Sequence, residues 1–274
     1  MYIPEDGWEL HPIGGRTGDA YMGIRNNEKV FLKRNTSPFI SALSAEGITP
    51  KLMWTQRTYS GDTLVAQEWK QGHVLQKNDM ANSNIKALIK HIHQSNHLLT
   101  MLRRVGGQEF QPLDFIELYF EDLPHNLVSH QYFNKIIHFL EDQVHEEFYQ
   151  VPTCVCHGDL NHHNFLFDTN HQKLYLVDWE NVRIADPLSD LTYLLIQYFP
   201  PSQWASWFAS YDLEESLLFK RRVTWYSLLN CLLLAKNYYI EGRFDKVNEM
   251  VLLIQSIFNS QQKQDSQKRT RRLP

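Results

Sequence analysis

The stretch CHGDLNHHNFLF, residues 156–167, is a polar loop between two short apolar runs. Residues 153–156 and 165–167 have the length and composition of buried strands, and residues 174–177 form a third run of this kind. The loop carries Asp159 and Asn164, and the third run leads directly into Asp178. We therefore expect three oxygen-bearing side chains at neighbouring strand ends, where they can converge on one point.

This arrangement of oxygen ligands suits phosphoryl transfer. The transferred group carries several negative charges, so Mg²⁺ bridges its oxygens and is itself held by carboxylate and amide ligands, while another carboxylate accepts the hydroxyl proton. In the protein-kinase catalytic loop, H-R-D-x-x-x-x-N, the base precedes the metal-binding asparagine by five positions, and a later aspartate binds Mg²⁺. Asp159 and Asn164 have the same interval, and Asp178 follows on the next hairpin.

Short strands separated by turn residues dominate the first third of the chain. The predicted strands are 10–13, 20–25, 30–34, 52–56 and 63–69. A short helix is predicted over 38–46, and Gly47 and Pro50 end it. After Gly72 the apolar spacing becomes helical, with Asp79 as the expected N-cap of the first helix. Further helices are predicted over 113–123, 132–148, 188–198, 217–239 and 246–258.

Paired motifs give the chain a family resemblance. The sequences HGDLNHHN (157–164), VDWE (177–180) and ADPLSDL (185–191) resemble the aminoglycoside phosphotransferase and choline kinase superfamily. The stretches GGRTGDAYMG (14–23), FLKRNTSPF (31–39), AQEW (66–69) and 174–191 are similar to the CcrZ/YtmP group of bacterial cell-cycle regulators. The resemblance extends over nearly the whole chain.

The resemblance implies an α+β, two-lobed, protein-kinase-like fold. We expect a β-rich nucleotide-binding lobe at 1–68, a hinge at 69–72 and a mainly helical catalytic and acceptor-binding lobe at 73–259, with the active cleft between the lobes. Residues 260–274 are polar and basic with almost nothing to bury, so we predict a disordered tail there.

Site roles follow from the resemblance, residue by residue. Asp159 would be the catalytic base, and Asn164 and Asp178 would be the Mg²⁺ ligands. Glu180 is expected at the metal or at the substrate. Two residues would support the catalytic loop rather than do chemistry, namely His157 and Asp190.

The nucleotide half of the match centres on Lys33. Lys33 ends a predicted strand, where it can reach phosphate oxygens, and Glu46 on the short helix is expected as its ion-pair partner. The glycine-rich turn containing Gly15, Thr17 and Gly18 would cover the phosphates. This turn departs from G-x-G-x-x-G, and glycines at hairpins are usually simple turns.

The base of the nucleotide is expected near two aromatic residues. Phe31 shares a strand face with Lys33 because strand side chains repeat every two residues, and it would lie against the adenine. Gln67, Glu68 and Trp69 stand where a kinase hinge would offer backbone groups to the base. For Phe31 and Trp69, packing in the core is an equally good interpretation.

Histidine and aromatic clusters allow other interpretations. His157, Asp159, His162 and His163 contain zinc-ligand atoms, but no further cluster completes a site, so we expect His162 and His163 to be exposed loop residues. His93 and His97, predicted to be helix neighbours near His91, lack the glutamate of H-E-x-x-H, so packing and capping is favoured. A set of seven aromatic residues could cage a choline-like cation, but helical spacing favours the core: Trp204, Trp207, Tyr211, Trp225, Tyr226, Tyr238 and Tyr239.

Composition gives a further set of expectations. The net charge of −4, from 27 basic and 31 acidic residues, predicts no direct nucleic-acid binding. No signal-peptide pattern or membrane-spanning apolar run is present in the sequence, which indicates a cytoplasmic protein. Cys154, Cys156 and Cys231 are expected to be buried reduced thiols.

The sequence therefore predicts a small-molecule kinase that uses ATP and Mg²⁺ and phosphorylates a hydroxyl group. Resemblance to the CcrZ/YtmP group implies a pentose acceptor such as ribose or deoxyribose, a role in coordinating division with DNA replication, the division protein FtsZ as a partner, and a location at the division site. Two alternatives stay open: an aminoglycoside- or choline-type kinase, and a catalytically idle nucleotide-binding scaffold that acts through protein partners.

Overall fold

A computed structural model describes residues 2–3, 7–13, 20–58, 61–209, 211 and 216–270. Its strands are β1 (Tyr2–Ile3), β2 (Trp8–Pro12), β3 (Ala20–Arg25), β4 (Glu28–Arg34), β5 (Leu52–Arg57), β6 (Thr63–Glu68), β7 (Gly72–Val74), β8 (Cys154–Cys156), β9 (Phe165–Asp168), β10 (Lys173–Leu176) and β11 (Arg183–Ala185). Its α-helices are α1 (Ile40–Ala45), α2 (Ser83–Gln94), α3 (Asn96–Arg104), α4 (Pro112–Phe120), α5 (His125–Val128), α6 (Gln131–Gln143), α7 (Pro187–Tyr198), α8 (Trp204–Ala209), α9 (Leu217–Ile240) and α10 (Phe244–Thr270).

The chain divides into two compact units, one comprising Met1–Gly107 with Asn161–Val182 and the other Gln108–Leu160 with Arg183–Pro274. These bounds differ from the lobes predicted at 1–68 and 73–259. The first unit takes in α2 and α3 and also the β9–β10 hairpin, which lies far along the sequence. A prediction that divides the sequence into continuous ranges cannot anticipate that a distant segment joins the first unit.

In the first unit, the described strands β1–β6 form one antiparallel sheet in the order β1-β2-β3-β4-β6-β5. The five strands predicted from the sequence are all present in it. Val30 and Leu32 of β4 are buried in a core with Trp8, Leu64 and Ala66. Because side chains alternate along a strand, Phe31 and Lys33 lie on the opposite face of β4, and both are half-buried there.

A second sheet of the first unit, in the order β10-β9-β7, places the ends of β9 and β10 side by side. The hairpin register pairs Phe165 with Leu176, so the residues just before β9 and just after β10 are neighbours. β7 pairs along the other edge of β9. A Cβ atom at Gly72 would lie 2.0 Å from the Phe167 carbonyl oxygen, so this close pairing requires glycine.

The second unit is mainly helical and is built around α9. This helix packs against α4, α6, α7 and α10, and its Trp225 and Tyr226 are almost fully buried. The Trp225 indole N–H donates to the Leu140 carbonyl at 2.9 Å, which satisfies the only polar group of that side chain. β8 and β11 form a two-stranded antiparallel ladder, and β11 leads into α7.

The first predicted helix begins later and ends earlier than the apolar spacing indicated. Asp79 lies in a 3₁₀ turn and accepts the backbone N–H of Gln76, whereas Asn82 is the N-cap of α2. Ser95 separates α2 from α3 because its hydroxyl accepts the Leu98 N–H as a new N-cap. His93 and His97 therefore lie on different helices, and their predicted helical spacing is wrong.

At the other end of the chain, α10 continues to Thr270, where composition predicted a disordered tail from residue 260. Residues 244–270 contain no glycine or proline, and glutamine, lysine and arginine are good helix formers, so the helix has no internal stop signal. Among the described residues, no helix has both the length and the apolar character that crossing a membrane requires.

Candidate active site

The loop after β8 is fixed by a buried aspartate of the second unit. Asp190, on α7, is 2% exposed, and its two carboxylate oxygens accept the backbone N–H groups of His157 at 2.7 Å and Gly158 at 2.9 Å. Such charge-assisted bonds are among the stronger ones in a protein interior. Asp190 therefore ties α7 to the loop that carries Asp159.

Asp159 follows directly in this loop and is half-buried. Its backbone N–H donates to Nδ1 of the buried His157 at 3.3 Å, so that ring nitrogen acts as an acceptor and His157 supports the loop from within. The hydroxyl of Tyr193 donates to Asp159 Oδ1 at 2.8 Å. The sequence reasoning did not identify Tyr193, although it lies three residues after Asp190 and so on the same face of a helix.

A buried cation, also missed from the sequence, lies beside the same loop. The guanidinium of Arg183 lies over the rings of Phe110 and Phe115, at 4.7 and 5.4 Å from their centroids, and its Nη2 is 3.5 Å from the Gly158 carbonyl oxygen. Burial lowers the pKa of Arg183, and the negative charge of Asp190 opposes this shift. An arginine remains protonated through such a change, so it supplies a fixed positive charge.

The first turn of α7 is anchored by a second aspartate. Asp186 is the N-cap and accepts the Leu188 N–H at 2.9 Å. Arg222 of α9 binds the same carboxylate with two bonds, at 2.7 and 2.5 Å. Because this bidentate pair restricts the start of α7, the positions of Asp190 and Tyr193 further along the helix are also restricted.

In the first unit, the hairpin brings Asn164 and Asp178 to one place. Asn164 precedes β9 and is 8% exposed, and its carbonyl accepts the N–H of Val177, the residue before Asp178, at 2.8 Å. Asp178 has φ 64° and ψ 67°, in the left-handed region that aspartate and asparagine adopt more readily than other non-glycine residues. The chain therefore turns sharply as it leaves β10.

Lys33 of β4 reaches the same part of the first unit. Its ammonium nitrogen lies 2.7 Å from Asp178 Oδ1 and 2.6 Å from Glu180 Oε1. Burial alone would lower the pKa of Lys33, but the hydrogen bonds and negative charges of the two acids outweigh burial and raise it. Lys33 is therefore protonated, and two half-exposed carboxylates converge on one cation.

The predicted pairing of Lys33 with Glu46 is wrong. Glu46 follows the last residue of α1 and accepts the Ser95 hydroxyl at 2.8 Å, while its other oxygen lies 3.0 Å from His91 Nε2. Glu46 thus ties the end of α1 to the junction of α2 and α3. The acids that pair with Lys33 come from the distant residues 178 and 180, which no local pattern identifies.

The residues proposed for the nucleotide base have mixed environments. Phe31 shares the face of β4 with Lys33, as alternation predicted, and Trp69 is half-buried just after β6. The Gln67 side chain is buried and donates to the Pro50 carbonyl at 2.9 Å, so it braces the sheet rather than facing a ligand. Glu68 pairs with Lys70 at 2.8 Å. Gly15, Thr17 and Gly18 lie outside the described residues.

The burial of the aromatic and histidine side chains decides between the interpretations of these clusters. Among the seven aromatic residues, Trp204, Trp207, Tyr211, Trp225 and Tyr226 are core residues, which argues against a cation cage made from them. His163 is exposed, but His162 is 9% exposed, so the expectation that both are exposed loop residues is wrong for His162. Burial, followed by the charges of His163 and Lys77, lowers the pKa of His162.

The donor set of the first unit fits Mg²⁺. This ion prefers oxygen ligands, and the carboxylates of Asp178 and Glu180 supply such atoms, as does the side-chain amide of Asn164, whose backbone carbonyl accepts the Val177 N–H. The approach of both carboxylates to one ammonium group shows that their negative charges are directed at a common point. No sulfur or imidazole ligand is required.

Known structures share this fold. The choline kinase LicA from Streptococcus pneumoniae is 17% identical, with a TM-score of 0.64 over 89% of this chain and 93% of that chain. An ethanolamine kinase from Plasmodium vivax is 14% identical, with a TM-score of 0.61 over 94% and 84% of the two chains. An aminoglycoside phosphotransferase in complex with GDP and kanamycin is 17% identical, with a TM-score of 0.59 over 94% and 96%.

These similarities confirm the predicted α+β, kinase-like fold class, with an antiparallel N-terminal sheet and a helical C-terminal region. The model of one protein family, described as the phosphotransferase enzyme family, matches residues 34–222, more than half of the 274 residues. That span includes the motifs around Asp159, Asp178 and Asp190. The chain therefore belongs to the phosphotransferase enzyme family.

Proposed function

We propose that the protein transfers the γ-phosphoryl group of ATP to a hydroxyl group of a small molecule, with Mg²⁺ as the required metal ion. The observation that carries this proposal is the cluster of Lys33, Asp178 and Glu180, with Asn164 at the same end of the hairpin. A lysine with converging carboxylate and amide oxygens is the set that a metal-bound polyphosphate requires.

Each side chain then has one role. The acceptor oxygen bonds to the γ-phosphorus while the bond from phosphorus to the bridging oxygen breaks, and the acceptor proton passes to the Asp159 carboxylate. Lys33 neutralises charge on the phosphate oxygens. Asn164, Asp178 and Glu180 would hold Mg²⁺, which when bound neutralises the charge that develops on the transferred group.

Nucleotide binding is supported by the structural neighbours and by two half-buried aromatic residues. LicA has been crystallised with AMP, and the aminoglycoside phosphotransferase with GDP. Phe31, on the same face of β4 as Lys33, is proposed to lie against the base, and the backbone near Trp69 to meet its edge. Comparison of ATP with GTP in the same assay establishes which base is preferred.

For the acceptor, we propose a pentose such as ribose or deoxyribose, supported by the resemblance to the CcrZ/YtmP group. The same resemblance supports a role in coordinating division with replication through FtsZ at the division site. Choline and aminoglycosides are the competing acceptors, since neighbouring folds include a choline kinase and a kanamycin complex. The burial of Trp204, Trp207 and Trp225 in the core makes a cation cage from these rings unavailable to choline.

The test is phosphate transfer from Mg²⁺·ATP or Mg²⁺·GTP to a panel of ribose, deoxyribose, choline, ethanolamine and kanamycin, with product phosphorylation as the readout. Lys33→Met should lower kcat/KM by about 10²-fold or more, because a charge that stabilises the transition state is lost. Lys135→Met is the matched control, since Lys135 is exposed on α6. Absence of transfer to every acceptor, with nucleotide binding retained, would favour the scaffold alternative and overturn the proposal.

A further inference from the structure

One face of α7 holds three consecutive residues of the loop after β8. Asp190 accepts the N–H groups of His157 and Gly158, and Tyr193, one turn later, donates to the side chain of Asp159. Residues three apart on a helix project from the same face, so these contacts form one continuous strip. The Asp190 contacts fix the loop backbone, whereas the Tyr193 contact acts on a single carboxylate oxygen.

We propose that Tyr193 is a positioning residue for phosphoryl transfer: its hydroxyl holds the Asp159 carboxylate in the orientation in which it accepts the acceptor proton. This inference rests on the proposed function of Asp159. A hydrogen bond donated to a carboxylate stabilises the charged form, and it also restricts rotation of the carboxylate about its own axis.

The surroundings keep Tyr193 in the donor state. Burial, and then the negative charge of Asp159, raises the pKa of Tyr193 well above its ordinary value, and nearby Tyr198 and Tyr238 act in the same direction. The phenol proton therefore stays on Tyr193 while Asp159 takes the proton of the acceptor. Arg183 also interacts electrostatically with Tyr193 and Asp159, and with Asp190 and Cys156 of the same unit, while Nδ1 of His157 accepts the backbone N–H of Asp159.

The test compares the rate of phosphoryl transfer by Tyr193→Phe and by wild type over a range of pH, with the best acceptor of the panel. The same comparison is made with water as the acceptor, measured as hydrolysis of Mg²⁺·ATP. The plateau of kcat should fall about tenfold because orientation is lost, with KM for ATP unchanged.

Tyr119→Phe is the matched control. Tyr119 is 0% exposed in the same unit, and its hydroxyl has no hydrogen-bond partner among the described residues, so its removal should leave the profile unchanged. If kcat of Tyr193→Phe equals that of Tyr119→Phe and of wild type across the pH range, the positioning role of Tyr193 is refuted. This holds even when Asp159→Asn is inactive. If Asp159→Asn itself keeps full activity, the proposed function fails first.

A readout independent of activity comes from unfolding. The free energies of unfolding of Tyr193→Phe, Asp159→Asn and the double variant should be non-additive, since the two side chains share one hydrogen bond. Strict additivity would show that the contact does not exist in solution and would overturn the inference.

Discussion

At the scale of single residues, Asp190 fixes the backbone of the loop after β8. It is buried, and its two oxygens accept two backbone N–H groups, those of His157 and Gly158. Leaving a buried donor unsatisfied costs about 1–3 kcal/mol. Its role is therefore structural, and its loss should be measurable without any substrate.

Asp190→Ala should lower the free energy of unfolding by about 2–4 kcal/mol, since two donors lose their acceptor at once. Urea denaturation followed by circular dichroism measures this directly. Asp142→Ala, at an exposed position on α6, is the control and should change stability by about 0.5 kcal/mol or less. Equal stability of the two variants would refute the assignment of Asp190.

Spacing along the sequence predicts contacts between residues that are close in the chain. The position of Asp178 after the strand that follows Asn164 along the chain was sufficient to predict that these two residues are neighbours, as the register of the β9–β10 hairpin shows. Contacts between distant segments carry no such spacing, which is why Lys33 was assigned to Glu46 instead of Asp178. Tyr193 could have been found, because it lies one helical turn beyond Asp190.

At the scale of elements, the β9–β10 hairpin positions the proposed metal ligands. Its register places Asn164 and Asp178 at the same end, and β7 supports its other edge. The opposite end of the hairpin is also anchored, because Asp168 is 0% exposed there. Its Oδ2 lies 2.8 Å from His171 Nδ1 and 3.6 Å from Lys70 Nζ. Movement of β9 would therefore displace the ligands.

Gly72→Ala tests this support. A Cβ atom 2.0 Å from the Phe167 oxygen cannot be accommodated, so β7 must separate from β9, at a cost of about 3 kcal/mol or more. Gly106→Ala is the control: its φ of 79° strains a side chain, but no atom lies within 4 Å, so about 1–2 kcal/mol is expected. Thermal unfolding of both variants measures the difference, and a smaller loss for Gly72→Ala would contradict the predicted clash.

Elements with strong periodicity were predicted, as were the short apolar strands β8, β9 and β10, whereas β1, β7 and β11 were not. The five strands of 10–13 to 63–69 appear, as does the pattern that buries α2. The two- and three-residue strands β1, β7 and β11 are too short for alternation to be recognised. The break at Ser95 was missed because the apolar spacing continues through it, although serine is a strong N-cap residue.

At the scale of the whole molecule, the chain is a member of the phosphotransferase enzyme family, and we propose that Asp159 is its catalytic base. The fold class could be predicted because its motifs are local. The division into units could not, since residues 161–182 join the first unit through contacts with residues far away in sequence.

The most direct test is the rate of phosphoryl transfer by Asp159→Asn, with ATP affinity measured on the same preparation. Asparagine has nearly the same shape but cannot accept the proton, so kcat should fall by about 10²–10⁴-fold while ATP affinity is unchanged. Asp142→Asn should behave as wild type. Transfer by Asp159→Asn at the wild-type rate would contradict the assignment of Asp159 and, with it, the proposed mechanism.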